Sequence, residues 1–404
     1  MAIPFHGWLL PLLLAAVPQS MHGPAIDAQI AALQARIASI QGSAAGGMFP
    51  DLRNDPQRSI ALHNLWGEQY FGRISVGTPP VQQTVVFDTG SEALVIKGSR
   101  CTLTGRRQRV LGGTGRCQGP NDGGYDASRS STARRSALPF ISQYGSSDAE
   151  DAGSSGSETS GQRVSDTVTM GGYDVRLLMS VAERESARFS GYKFDGIFGL
   201  DFEVPNGDAT DHFNQLCQAN PSMRCVFSFY LTAGQNKPGS MLTLGGVLGD
   251  KIKPGSRWRT AHAIAFNGYS QQWGYWAVTF KHFQVGIGKF RDPATSAVAI
   301  VDSGTTYIRV PKAVFRAAVA AITAHANCHA GGDRHDPQYE CVGAHDTDFP
   351  PLHFDILGAG PFTLTGAEYV DCYSDSGKCF PRVRINTAET SEPFYILGDY
   401  FMRK

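Results

Sequence analysis

The stretch VVFDTGSEALV, residues 85–95, decides how this chain is read. Its flanks are apolar enough for a buried strand, yet an acid, Asp88, sits in the middle with Thr89, Gly90 and Ser91 behind it. Asp and Gly are ordinary turn residues, so a single Asp-hydroxyl-Gly tripeptide says little by itself. A charge at the end of such a strand is costly unless it is compensated, which turns attention from the turn to chemistry.

A second copy answers the question. AIVDSGT, residues 299–305, repeats the order of hydrophobic run, acid, hydroxyl, glycine, hydroxyl, with Asp302 as the acid. About a hundred residues after each acid comes a pair of apolar residues and a glycine, Ile197-Phe198-Gly199 and Ile396-Leu397-Gly398. A duplicated unit with one carboxylate per copy explains the pattern, and a pseudo-twofold between the copies would bring Asp88 and Asp302 together. Two carboxyls at close range do not both ionise easily, so they share a proton and titrate as a pair. The ionised one can act as general base on a water while the protonated one polarises a carbonyl. Gly90 and Gly304 would let backbone and water approach, and the neighbouring hydroxyls would hold the carboxylates.

The rest of the chain fits an all-β protein of two lobes. Its 404 residues are 42% hydrophobic and 10% aromatic, enough for a sizeable core. From about Leu65 short apolar alternations such as YFGRISVG, SMLTLGG and YWAVTFKHFQVG are separated by turn residues, with 46 Gly and 22 Pro in the chain. Helical patterns interrupt this texture around 209–218 and 311–326. Lys+Arg and Asp+Glu both number 36, so no net field draws the protein to nucleic acid or to an anionic membrane.

The apolar run WLLPLLLAAV, residues 8–17, is too short to cross a bilayer and reads as the core of a signal peptide over residues 1–20. Ile26, Ile30, Leu33, Ile37 and Ile40 mark one amphipathic helix, which with its linker reads as a propeptide or an N-terminal arm. Two polar stretches read as solvated loops: the Arg-rich 102–135 and the acidic SSDAEDAGSSGSETSGQ, 146–162. The eight cysteines form four sequence-local couples, which in an oxidising compartment implies four disulfides, most simply between neighbours, among 105 possible pairings. Cys328 lies among His325, His329, His335 and His345, but the spacing fits no common zinc pattern, and neither metal nor cofactor is expected.

With both repeats in view, the chain from about Tyr70 to Lys404 resembles the pepsin-like aspartic proteases. The resemblance rests on QYFGRISVGTPP (69–80), VVFDTGS (85–91), YDASRSST (125–132), FISQYG (140–145), FDGIFGL (194–200), FSFYL (227–231), LTLGG (242–246), IVDSGTT (300–306) and YILGDYFMR (395–403). It implies two pseudo-twofold-related β lobes around a cleft that binds an extended polypeptide, and an endopeptidase with Asp88 and Asp302 as its catalytic dyad. Thr89 and Ser303 match the hydroxyls of an inter-lobe grip. Ser91 and Thr305, with Thr306 beside it, match the outer hydroxyls, and Tyr144 matches the tyrosine of a flap over the cleft. The same resemblance implies a propeptide over residues 21–60, an N-terminal lobe over 61–247 and a C-terminal lobe over 248–404 that lacks its last strands. Cys101–Cys117 and Cys328–Cys341 fall at positions where the family has disulfides, and Cys217–Cys225 and Cys372–Cys379 look like additions. A monomeric secretory zymogen without a membrane anchor follows, destined for the outside or for an acidic, lysosome- or vacuole-like compartment.

The chain also departs from the pattern. Glu92-Ala93-Leu94-Val95 replaces the usual Ser-Asn-Leu-Trp, so the tryptophan that supports the flap tyrosine is missing. The acidic stretch lengthens the flap and should leave it mobile, and residues 24–62 are not strongly basic as many prosegments are. The rival reading is a non-catalytic pepsin-like protein that binds or inhibits, and a more distant one is a metal-dependent hydrolase built on the His/Cys cluster.

Overall fold

The computed structural model describes residues 13–14, 49–104, 115–117, 119–120, 124–144, 157–186, 189, 192–202, 211–266, 268, 274–294, 296–333, 336–388 and 392–404. The amphipathic run 26–40, residues 105–114 of the Arg-rich stretch and residues 146–156 of the acidic stretch lie outside them; the ends of both stretches, 102–104, 134–135 and 157–162, are strand rather than the expected loop.

Three sheets account for most of the described chain, and the fold is all-β as expected. The N-terminal half forms an eleven-stranded mixed sheet, and the C-terminal half a nine-stranded sheet with a separate four-stranded one. The repeat seen in the sequence is a repeat of topology. Strand Val81–Asp88 runs parallel to Gly196–Gly199, pairing Asp88 with Gly199, and Gly196–Gly199 pairs antiparallel with Leu94–Ile96 just beyond the acid. In the second half Ala297–Val301 runs parallel to Phe394–Leu397, which pairs antiparallel with Ile308 and Arg309 just beyond Asp302. Each acid therefore sits at the end of a strand flanked by the strand carrying the apolar-apolar-glycine signature.

These strands read as apolar runs because both their faces are covered. Val85, Phe87, Leu94, Ile96 and Phe198 are at most 1% exposed, and the Phe87 and Phe198 rings lie 5.6 Å apart. Phe280, Phe283, Phe354 and Tyr395 do the same work in the second half. The glycines of the signature are there for close approach: a Cβ on Gly199 would lie 2.4 Å from the Glu92 carbonyl carbon, and one on Gly398 2.2 Å from the Thr305 oxygen.

The helices fall where their patterns put them, at His212–Ala219 and Lys312–Ile322. The first is started by Asp211, whose carboxylate accepts from the Asn214 N–H at 2.8 Å. The second stops four residues before the pattern suggests, where the Thr323 hydroxyl turns back onto the Val319 carbonyl at 2.9 Å. All four neighbouring cysteine couples are bonded, Cys101–Cys117, Cys217–Cys225, Cys328–Cys341 and Cys372–Cys379. The thiols of the His/Cys cluster are thus spent on a disulfide.

Trp276 joins the halves. Its indole N–H donates to the Leu200 carbonyl at 2.8 Å, and its ring meets Phe202 at 4.3 Å and Phe227 at 5.5 Å. At 1% exposure its loss leaves a cavity and an orphan carbonyl. Trp276→Ala should lower the unfolding free energy by about 3–5 kcal/mol in urea denaturation, and a change under about 1 kcal/mol would show that the halves do not depend on it.

Candidate active site

The two sequence-predicted acids meet. Asp88 and Asp302 are 8% and 7% exposed, and each turn is wound so tightly that its glycine lies against the other acid. A Cβ on Gly90 would fall 2.5 Å from the Asp302 Cγ, and one on Gly304 would fall 2.1 Å from the Asp88 Oδ1. Any larger residue at either place would push the carboxyls apart.

The hydrogen bonds around the pair are mirrored. The Gly90 N–H donates to Asp88 Oδ1 at 2.8 Å and the Ser91 hydroxyl to its Oδ2 at 2.5 Å. The Gly304 N–H donates to Asp302 Oδ1 at 2.8 Å and the Thr305 hydroxyl to its Oδ2 at 2.6 Å. Below them Thr89 and Ser303 cross over. The Thr89 hydroxyl donates to the Val301 carbonyl at 2.8 Å and accepts from the Ser303 N–H at 2.9 Å. The Ser303 hydroxyl donates to the Phe87 carbonyl at 2.6 Å and accepts from the Thr89 N–H at 3.1 Å. Thr306 adds a further tie, giving its hydroxyl to the Glu68 carbonyl at 2.5 Å.

Electrostatics follow from this closeness. Burial, and after it the Asp302 carboxylate, push the Asp88 carboxyl up to about 8, against the lowering effect of Ser91 and Gly90. The site can therefore keep one proton on the pair well above the ordinary carboxylate range.

Two further acids lie at the site, Asp201 one residue past FDGIFGL and Asp399 within YILGDYFMR. Asp201 and Asp399 follow the signature glycines and are 4% and 2% exposed. They stand one residue out of step, Asp201 two residues after Gly199 and Asp399 one after Gly398, yet their backbones meet corresponding acceptors: the Asp201 N–H donates to the Ser91 carbonyl at 3.0 Å, and the Asp399 N–H to the Thr305 carbonyl at 2.8 Å. Burial holds both carboxyls well above the usual range, with Asp88 and Asp302 adding to the effect. Their sequence signal was position, an acid repeated just past each glycine of the signature.

Tyr144 ends the strand Arg134–Tyr144, opposite Ser157 on Ser157–Met170, so its backbone stands at the end of a hairpin; its side chain lies outside the described residues. Val95, in place of the expected tryptophan, is buried with Phe140 of that hairpin, Cys101 and Ala182.

Two mirrored carboxyls, locked by crossed hydroxyls in a duplicated β fold, define an aspartic peptidase. The sequence profile described as eukaryotic aspartyl protease matches residues 69–404, and the chain belongs to that family as an aspartic-type endopeptidase, with polypeptides as its substrates. It is 29% identical to cathepsin D of Gallus gallus over 361 residues, covering 88% of this chain and 80% of that protein. It is 29% identical to rhizopuspepsin of Rhizopus chinensis over 343 residues (83% and 74%), and 26% identical to renin of Canis lupus familiaris over 352 residues (85% and 77%). The four disulfides fit a protein of the secretory pathway. Among the described residues no helix is long and apolar enough to cross a membrane.

The raised Asp88 carboxyl has a consequence for stability. An acid whose folded pKa exceeds its unfolded value of about 3.9 favours the fold below that value and loses this contribution as pH rises through the folded pKa. Thermal midpoints measured between pH 4 and pH 8 should therefore fall with pH, and fall less steeply in Asp88→Asn. Equal slopes for the two proteins would show that Asp88 carries no such linkage.

Proposed function

We propose that Asp88 and Asp302 hydrolyse peptide bonds with one shared proton and an activated water. The observation that carries this reading is the reciprocal approach of Gly90 to Asp302 and of Gly304 to Asp88, which leaves the carboxyls side by side. The ionised carboxylate takes a proton from water as its oxygen bonds to the carbonyl carbon, while the protonated carboxyl donates to the carbonyl oxygen. In the second half of the reaction the C–N bond breaks as the leaving nitrogen takes a proton from one carboxyl, while the C=O bond re-forms and a hydroxyl of the intermediate returns its proton to the other, restoring the one-proton pair. Ser91 and Thr305 hold the outer oxygens and keep the two groups oriented. The substrate lies extended across the turns, with the hairpin ending at Tyr144 closing over it.

The proposed protein is a monomeric secretory zymogen that acts outside the cell or in an acidic, lysosome- or vacuole-like compartment. Residues 1–20 serve as signal and 21–60 as propeptide, ahead of lobes at 61–247 and 248–404.

Cleavage of an extended peptide should be strongest at acid pH and vanish at alkaline pH, where the proton that Asp88 holds is lost. Asp88→Asn should lower kcat/KM by about 10²–10⁴-fold, measured by fluorogenic peptide hydrolysis. Undiminished cleavage in Asp88→Asn would rule out the dyad. For the zymogen, acid treatment should yield a new N-terminus near residue 60 in the wild type. Sequencing that finds the original N-terminus after acid treatment would exclude self-processing.

A further inference from the structure

The second half carries three arginines close together, Arg309 and Arg384 on adjacent strands and Arg382 just before the latter strand, and they are not equally neutralised. Arg382 has two acids, Asp371 at 2.8 Å and Glu68 at 3.0 Å. Arg309 and Arg384 are in direct register on the parallel strands Ile308–Pro311 and Val383–Asn386. Residues in register on adjacent strands stand roughly 5 Å apart on the same face, so two like charges are held side by side. Like charges at that spacing repel unless an anion answers both.

Among the described residues one carboxylate, Asp336, bridges either of them, and it reaches Arg309 only, at 3.4 Å. Arg384 is 4% exposed and is held by neutral groups: its Nη1 donates to the Asp336 backbone carbonyl at 3.3 Å, and its guanidinium lies 4.7 Å above the Tyr307 ring. Arg309 Nη1 is spent on the Ile385 carbonyl at 2.8 Å, and its side chain remains 23% exposed. The cluster therefore holds two cations against one acid.

Its place in the fold points at the substrate. Ile308 and Val310 face the core at 0% exposure, so the alternation turns Arg309 to the other face, together with Arg384 and the partly exposed Ile396 of Phe394–Leu397. That strand begins directly after the Asp302 turn, where Gly304 is exposed and Thr305, Thr306 and Tyr307 are partly so. Thr306 is tied across the molecule to the Glu68 carbonyl, and Arg382, just before the strand of Arg384, reaches the Glu68 carboxylate. The two arginines thus stand on strands that adjoin the Asp302 turn and the contacts to Glu68, where the second half meets the first.

We propose that Arg309 and Arg384 form a subsite for an acidic side chain of the bound polypeptide, with Arg309 making the direct contact and Arg384 supplying the second positive charge. Aspartate, glutamate or a phosphorylated serine would supply the anion that the paired guanidinia lack. This rests on the peptidase reading but adds a selectivity that the dyad alone does not require.

The test is a set of peptides with one fixed scissile bond and Glu, Gln or Lys placed at each position in turn, assayed at pH 5.5, where a glutamate of pKa about 4.3 is ionised. The wild type should prefer Glu over Gln by about tenfold at one position, in kcat/KM and mainly through KM. Within Arg309→Gln the Glu/Gln ratio should fall to about 1, Arg309→Lys should keep part of it, and Arg309→Glu should favour Lys. Because each ratio is taken within one variant, a change in overall activity does not obscure it. A wild-type ratio within about twofold at every position, or an undiminished ratio in Arg309→Gln, would overturn the subsite. If no peptide is cleaved, the peptidase reading fails, and fluorescence anisotropy of the same peptides then reads the Glu/Gln ratio as affinity, with the same outcomes deciding.

Discussion

Everything in this molecule is arranged around holding two carboxyls against each other inside a protein. The crossed bonds of Thr89 to the Val301 carbonyl and of Ser303 to the Phe87 carbonyl make that arrangement rigid. Each hydroxyl also accepts the other residue's backbone N–H, so four buried polar groups are satisfied at once. Losing either hydroxyl would orphan a carbonyl and an amide in a buried place, which is why the pair acts as a single clasp. Only with the clasp closed do the glycine turns fit, since each has room for hydrogen and nothing larger beside the opposite acid.

That constraint explains which features could be read from the sequence. Asp88 and Asp302 were legible because chemistry, turn and strand are all local there, within seven residues in each copy. The apolar-apolar-glycine signature was legible as a repeat, and pairing of Asp88 with Gly199 supplies its reason. The cysteine couples could be paired because neighbours in sequence are also neighbours in the sheets; Cys328 with Cys341 and Cys372 with Cys379 even face each other across strand pairs. The short helices Gly366–Tyr369 and Asp399–Met402 left no trace, because one turn is too brief to show a period of 3.6. The Arg309–Arg384 pair was equally invisible, since it exists only through the register of strands distant in the chain.

The tail of the opening quotation gains a structural meaning. Leu94 and Ile96 face the main core at 1% and 0% exposure, whereas Val95 points the other way into a small cluster with Phe140, Ala182 and Cys101. Phe140 belongs to the hairpin that ends at Tyr144, and Cys101 is bonded to Cys117. The expected tryptophan would have offered an indole N–H to the hairpin; valine offers only packing. Support for the hairpin in this chain therefore comes from apolar contact at its base, while its outer side exposes Leu138 and Ile141 at 61% and 70%.

Asp201 and Asp399 show where the symmetry ends, since they sit two residues past Gly199 and one past Gly398. Each backbone N–H is given to the carbonyl of the residue whose hydroxyl holds the nearer acid of the pair, Ser91 in one case and Thr305 in the other. The surroundings then differ. Asp399 has Arg403 beside it, and that guanidinium lies 3.7 Å over the Tyr400 ring while donating to the Gly67 carbonyl. Asp201 receives the Phe202 N–H at 3.0 Å and has acids rather than a cation for charged neighbours. A carboxyl in such a place is held neutral by its burial and by the negative charge already on the pair. The duplicated fold thus presents the dyad with two outer carboxyls, one residue out of step between the copies, and the one beside Arg403 has a positive charge near enough to favour ionisation.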